Sequence, residues 1–322
     1  IQKKYIKKES NFGAENYKPL PVVLSKAKGV WAWDVNDNKY LDMMSGYSAV
    51  SHGHAHPELL KVFHDQSSKL SLTSRAFYTD QLGPYLETLT SISGFEMALP
   101  MNSGAEAVET AIKSARRWAY RVKKVKPDKA EIIVAEGNFH GRTTTIISFS
   151  DEGNPKDDFG PLTPGFVTVK FGCAESIKEA INENTAAVLI EPIQGEAGIV
   201  VPPNDYLSKV REICSESNVL MILDEIQSGL GRTGKLFAFQ HSCGSCDCKE
   251  NFCKWRPDGL ILGKALGGGF MPVSCFLSKK EVLELMNPGS HGSTFGGNPL
   301  ASAIGKRSLE LLFEEKLIEN SR

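Results

Sequence analysis

Seven short apolar runs, separated by stretches with helical spacing, constrain this chain more than anything else in it. They fall at residues 97–99, 132–135, 166–169, 187–190, 219–223, 260–262 and 273–277. Each is too short for a helix and apolar on both faces, as a strand covered on both sides must be. Helical periodicity begins near residue 57 and returns at 105–124, 174–182 and 206–217. Alternation of this kind predicts an α/β fold with a mostly parallel central sheet and helices on both faces. Earlier in the chain, residues 30–34 and 39–42 flank Asn36-Asp37-Asn38, a hairpin signal. We therefore expect an N-terminal segment with an antiparallel hairpin over 1–55 and a large α/β domain over 56–300. Residues 301–322 would begin a small α+β C-terminal domain, present only in part.

Charge narrows the partners. The 322 residues carry 37 Lys and Arg against 38 Asp and Glu, a net charge of −1. General attraction to nucleic acid or to an anionic membrane does not follow. No apolar run approaches the ~20 residues of a membrane span. Of seven cysteines, Cys173, Cys214 and Cys275 lie in or beside apolar stretches, as buried free thiols do. That points to a reducing compartment, the cytoplasm. The chain starts at Ile1 without an initiator methionine, which leaves the mitochondrial matrix open. Cys243, Cys246, Cys248 and Cys253 follow His241 with knuckle-like spacing but without a second pair, so a reduced loop is expected rather than zinc. His52, His54 and His56 alternate around Gly53 and Ala55, and turn packing is the expectation there too.

Two of the strands end on reactive groups. One delivers Asp224-Glu225, and another delivers Gly263-Lys264, with Gly267-Gly268-Gly269 just beyond. Ligands of open α/β sheets sit at that carboxyl edge. A poorly solvated lysine favours the neutral, nucleophilic amine of Schiff-base chemistry, although read singly both groups also fit ordinary strand-end charges. Ser103 and Glu106 have capping-box spacing, so a helix should start here and offer N–H groups of Gly104 and Ala105 to an anion. Phe139-His140-Gly141-Arg142 sets an aromatic ring beside a guanidinium. Glu191 and Glu196 leave another strand, and residues 289–298 form a glycine-rich loop with Ser293 and Thr294. Together these pieces suit a phosphate at 103–105, a ring beneath Phe139, a pyridine nitrogen at Asp224 and a carbonyl carbon at Lys264. That is the inventory for pyridoxal 5′-phosphate.

At these residues the chain resembles the class III aminotransferases, pyridoxal-phosphate enzymes of fold type I, and among them the ornithine aminotransferases. Leu223-Asp224-Glu225-Ile226-Gln227-Ser228-Gly229 and Gly263-Lys264-Ala265-Leu266-Gly267-Gly268-Gly269 carry the class. Asn16-Tyr17, Ser45-Gly46-Tyr47-Ser48-Ala49-Val50 and Thr73-Ser74-Arg75-Ala76-Phe77-Tyr78 carry the narrower likeness. The resemblance implies that Lys264 bonds covalently to the cofactor and that Asp224 keeps its ring nitrogen protonated. It implies phosphate binding at Ser103, Gly104 and Ala105, helped by Ser293 and Thr294 from the second subunit of a homodimer. Phe139 would stack on the ring, Ile226 would cover its other face, and Gln227 would meet its hydroxyl. His140, where relatives often have tryptophan, would lie beside them.

For the substrate, the resemblance implies that Tyr17 and Arg142 hold ornithine's α-carboxylate, that Tyr47 lines the pocket and that Glu196 shields a second arginine. That arginine, for 2-oxoglutarate, belongs to the part of the family's small domain beyond Arg322. The implied activity is transfer of ornithine's δ-amine to 2-oxoglutarate. The alternatives are an N-acetylornithine or 4-aminobutyrate aminotransferase, or a cofactor-binding pseudoenzyme. Tyr17 favours ornithine.

Overall fold

A computed structural model describes residues 1–151, 156–243 and 255–322. Cys246, Cys248 and Cys253 lie outside the described residues, so the expectation for that cluster is not addressed by the fold. All seven apolar runs form strands of one sheet. In chain order they are β4 (Met97–Met101), β5 (Glu131–Ala135), β6 (Phe166–Val169), β7 (Thr185–Ile190), β8 (Leu220–Asp224), β9 (Gly259–Leu262) and β10 (Ser274–Ser278). Their spatial order is β4-β10-β9-β8-β7-β5-β6. Neighbours from β9 to β6 pair in parallel, whereas β10 runs antiparallel to both β9 and β4. The reason is the short, glycine-rich link from β9 to β10, which leaves no room for the crossover helix that a parallel return requires.

The central strands β7, β8, β9 and β10 are buried throughout. Alternate residues face two separate cores. Ile133, Val188, Met221, Leu223, Leu260 and Leu262 belong to one, while Ile132, Ala187, Leu189, Ile222, Ile261 and Phe276 belong to the other. Helix Gly104–Trp118 closes the second core with Ala107, Val108, Ala111, Ile112 and Ala115. Helix Tyr206–Glu216 closes the first with Tyr206, Leu207, Val210 and Cys214. Of the three scattered cysteines, Cys214 and Cys275 are buried, but Cys173 is only half-buried where helix Ala174–Ala180 begins.

The N-terminal hairpin is part of a three-stranded antiparallel sheet of β1 (Leu24–Lys28), β2 (Trp31–Asp34) and β3 (Lys39–Leu41). Its turn is organised by Asp34, which accepts from Asn36 N, Asn38 N, Asn38 Nδ2 and Tyr40 Oη. The preceding helix, Gln2–Phe12, buries no residue and is tied to this sheet through Gln2, which donates to Asp34 and accepts from Val23 N. At the other end, Asn298 caps helix Pro299–Glu314, so the expected domain boundary at residue 301 falls within a helix. Its Leu300, Ile304 and Leu311 pack with Leu59 of helix Pro57–Ser67.

The three alternating histidines go to three different partners: His52 to the Ser308 carbonyl, His54 to Asp42 and His56 to Glu315. Among the described residues no group of His, Cys, Asp and Glu is arranged to hold a metal ion. Likewise no described helix is long and apolar enough to cross a membrane.

The edge of the sheet opposite the strands' reactive ends is pinned by Asp258, which accepts from Arg211 at 2.6 Å, Lys279 at 2.5 Å and Met221 N at 2.8 Å. Burial raises its pKa, but these partners outweigh burial and hold it below the usual carboxylate range. A depressed carboxylate contributes stability that is present above its unfolded pKa and lost as pH falls. Asp258→Ala should therefore cost about 3 kcal/mol at neutral pH, read by denaturant unfolding. The difference from wild type should shrink in acid, and a constant difference down to about pH 3 would contradict this account.

Candidate active site

The carboxyl ends of β4, β5, β7, β8 and β9 open onto one cavity of about 200 Å³, lined among others by Gly104, Phe139, Glu191, Asp224, Ile226 and Lys264. Each wall follows from local sequence. Beyond β4, Ser103 Oγ accepts from Glu106 N and Glu106 Oε2 accepts from Ser103 N, completing the capping box. That leaves the N–H groups of Gly104 and Ala105 as helix-start donors with no intrahelical partner. Both residues line the cavity. Gly104 keeps this turn close to Ile226, since a Cβ there would sit 2.9 Å from Ile226 Cδ1 and push that side chain aside. Gly141, at φ +125°, is similarly confined by Ala105.

Beyond β5, Asn138 is held by the carbonyls of Ala135 and Phe149, which aims Phe139 and His140 inward. His140 Nδ1 lies 2.7 Å from Asp224 Oδ2, both side chains being buried. Burial opposes charging of His140, yet the Asp224 carboxylate outweighs it and raises the pKa. Asp224 Oδ1 accepts from Ile226 N, so the carboxylate is fixed from both sides.

Beyond β9, Lys264 starts a short 3₁₀ turn at φ +44°, a left-handed backbone that is costly for a side-chain-bearing residue and typical of functional positions. Its pKa is lowered by desolvation, against the pull of Glu196, Asp224 and Glu191. Glu196 Oε1 is 4.0 Å from Lys264 Nζ and accepts from Gln227 Nε2 at 2.9 Å.

A second, wider pocket of about 740 Å³ adjoins the first through shared walls at Phe139 and Lys264. It brings together Tyr17, Tyr47, Arg142 and Glu196, four residues spread over 180 positions of chain. Tyr17 and Tyr47 are largely exposed. Tyr47 sits in a turn where Ser45, Gly46, Tyr47 and Ser48 all have positive φ, and Asp42 Oδ1 accepts from Ser45 N at its base. The Tyr47 carbonyl accepts from Gln227 Nε2. Arg142 lies with its guanidinium carbon 5.1 Å from the Phe139 ring centroid.

Ser293 and Thr294 do not line either pocket of their own chain. Ser293 Oγ instead accepts from Asn102 Nδ2 just ahead of the capping box. Glu191, which the sequence marked only as a carboxylate at a strand exit and gave no role in the site, also lines the cavity. It is buried, accepts from Phe139 N, and burial pushes it up to about 7, with His140 opposing and Asp224 adding to the rise. Its position directly after a buried strand was visible in the chain, but its difference from Glu196 was not.

The chain's donors fit a phosphorylated pyridine aldehyde. The uncommitted helix N–H groups suit the phosphate, the fixed Asp224 suits a ring nitrogen, and the desolvated Lys264 amine suits the aldehyde. A family model described as "Aminotransferase class-III" matches residues 12–322, and the chain belongs to that family, whose cofactor is pyridoxal 5′-phosphate. Proteins called ornithine aminotransferase are among the chain's most similar relatives. The one from Macrococcus caseolyticus is 55% identical over 312 residues, which is 97% of this chain and 76% of that protein. The crystal structure of the Toxoplasma gondii ornithine aminotransferase superimposes with a TM-score of 0.94 at 41% identity, covering 99% of this chain and 73% of that one. An acetylornithine aminotransferase from Elizabethkingia anophelis gives 0.85 at 44% identity, covering 99% and 74%.

Proposed function

We propose that the protein is an L-ornithine:2-oxo-acid δ-aminotransferase. It would move the δ-amine of ornithine to 2-oxoglutarate, giving glutamate and glutamate 5-semialdehyde, which cyclises to pyrroline-5-carboxylate. The observation that carries this reading is the convergence of Tyr17, Tyr47, Arg142 and Glu196 on the pocket that shares Lys264 with the cofactor cavity. A guanidinium and a phenol at the far end suit an α-carboxylate, leaving the amine at the other end of the substrate to face Lys264. The likeness to ornithine aminotransferases supports the same choice.

Bound in the cavity, pyridoxal phosphate supplies an electron sink for a carbanion formed beside the transferred nitrogen. The chain does the rest. Gly104 and Ala105 would anchor the phosphate, Phe139 and Ile226 would wall the ring, and Asp224, braced by His140, would hold a proton at the ring nitrogen. Lys264 would hold the aldehyde, and its amine, once free, would remove a proton from the substrate's δ-carbon and later return one, as base and then acid. Gln227 ties Glu196 to the Tyr47 turn and so keeps the substrate pocket registered on the cofactor cavity. Thr294, exposed and away from its own cavity, would serve a second subunit, and we include a homodimer in the proposal.

The test is a half-reaction with ornithine, N-acetylornithine and 4-aminobutyrate, followed on the cofactor spectrum. Ornithine should react fastest; preference for either of the others would replace the substrate while leaving the family unchanged. Tyr17→Phe should lower ornithine turnover about tenfold to a hundredfold, the worth of a hydrogen bond to a charged group, and raise 4-aminobutyrate relative to ornithine. No change in that ratio would remove Tyr17 from substrate choice.

A further inference from the structure

We infer that His291 is a positioning residue that clasps the glycine-rich loop 289–298 onto the helix whose first turn forms the phosphate site. Its ring bridges two residues of helix Gly104–Trp118. Thr110 Oγ1 is 2.8 Å from Nε2, and Lys113 Nζ is 2.9 Å from Nδ1. Lys113 also donates to the Ser290 carbonyl at 3.2 Å. Two residues further on, Ser293 Oγ accepts from Asn102 Nδ2 at 2.8 Å and from Gly296 N at 3.1 Å. Asn102 in turn donates to Glu106, the residue that closes the capping box. Ser290 also donates to the Asn287 carbonyl from Oγ at 2.7 Å, while a Cβ on Gly289 or Gly292 would meet nothing within 4 Å.

The partners fix the ring's protonation. A lysine ammonium has only protons to offer, so Nδ1 must accept. The Thr110 hydroxyl gives its own proton to the Glu106 carbonyl at 2.7 Å, so its oxygen accepts and Nε2 carries the hydrogen. Both ring nitrogens are thus used by one neutral tautomer. A second proton would have to enter on Nδ1, facing Lys113. The charged groups acting on the ring are Lys113, which opposes protonation, and Glu106 and Glu109, which favour it; with burial, the balance lowers the histidine's pKa. The clasp is therefore closed at neutral and alkaline pH and opens as pH falls. Opening frees Ser293 from Asn102 at the threshold of the phosphate cradle.

This inference rests on the reading that Ser293 and Thr294 serve a cofactor phosphate. The probe is pyridoxine 5′-phosphate, which has no aldehyde for Lys264 and reports the phosphate site directly. Its binding to the full chain freed of cofactor is measured by calorimetry at about pH 8 and about pH 5.5, spanning histidine titration. His291→Ala should bind about tenfold more weakly at the higher pH, the worth of its two hydrogen bonds. His291→Gln can accept from Lys113 and donate to Thr110 without titrating. It should match wild type at the higher pH and escape part of the wild-type loss at the lower one. Wild-type affinity in His291→Ala, or an unchanged acid loss in His291→Gln, overturns the clasp. Thr294→Ala separates the two readings. If it weakens binding while His291→Ala does not, the clasp alone fails; if both are silent, the loop has no part in phosphate binding and both readings fall, whatever the protein does with ornithine.

Discussion

Lys264→Ala should lower kcat/KM for ornithine by about 10⁴-fold while leaving the fold and most cofactor affinity intact. In the proposed mechanism the amine moves a proton at the substrate carbon, and among the described residues lining the cavity no other base is placed to substitute. Glu196 approaches Lys264 Nζ but is tied to Gln227, and Glu191 is committed to Phe139 N. The phosphate contacts proposed for Gly104 and Ala105 do not involve Lys264, so the variant should still take up cofactor. The paired measurements are turnover and retention of cofactor through gel filtration. Residual activity above about one per cent of wild type would exceed what an uncatalysed proton transfer allows and would require another base.

Asp224→Asn should cost about 10²–10³ in kcat, the range for removing a preorganised electrostatic partner. The amide preserves shape and can still bond to His140 Nδ1, 2.7 Å away. What disappears is the negative charge that, in the proposed reading, holds a proton at the ring nitrogen in a buried site, where that charge is poorly replaced by water. The His140 pKa should fall along with it, because the carboxylate is what outweighs the burial that opposes charging of this ring. The readouts are kcat and the His140 ring protons in an NMR titration. Full activity, or a His140 that still titrates high in the variant, would mean that the charge at this position does not act through Asp224.

Much of the molecule was legible from the chain because burial writes itself in a simple alphabet. Strands β7 to β9 are buried at every position and apolar except at Thr185, Asp224 and Gly259, and that pattern has few interpretations once helices alternate with it. The capping box at Ser103 and Glu106 needed only a spacing of three, and the structure realises both of its hydrogen bonds. Other features were silent for physical reasons. Helix Gln2–Phe12 has no buried face, so it leaves no apolar stripe, and its one anchor, Gln2, is an ordinary polar residue until Asp34 is known to be near. The reversed direction of β10 depends on a connection length, not on its composition. Glu191 and Glu196 look alike in sequence. Only their surroundings separate a carboxyl raised to about 7 by burial from one that reaches into the substrate pocket.

The turn from Ser45 to Ser48 winds the wrong way for L-residues, and three of its four members carry a side chain. Left-handed backbone costs roughly 1–2 kcal/mol per such residue, a tension that contacts elsewhere must restrain. Natural or laboratory selection for heat tolerance alone would therefore be drawn to glycine at Ser45 or Ser48, where the strain could be released at once. The same release would unfasten the backbone that aims Tyr47 at the substrate pocket. Lineages that must discriminate between two amines of one diamine have reason to keep the spring wound, whereas a broad-specificity descendant could let it go and become the sturdier protein.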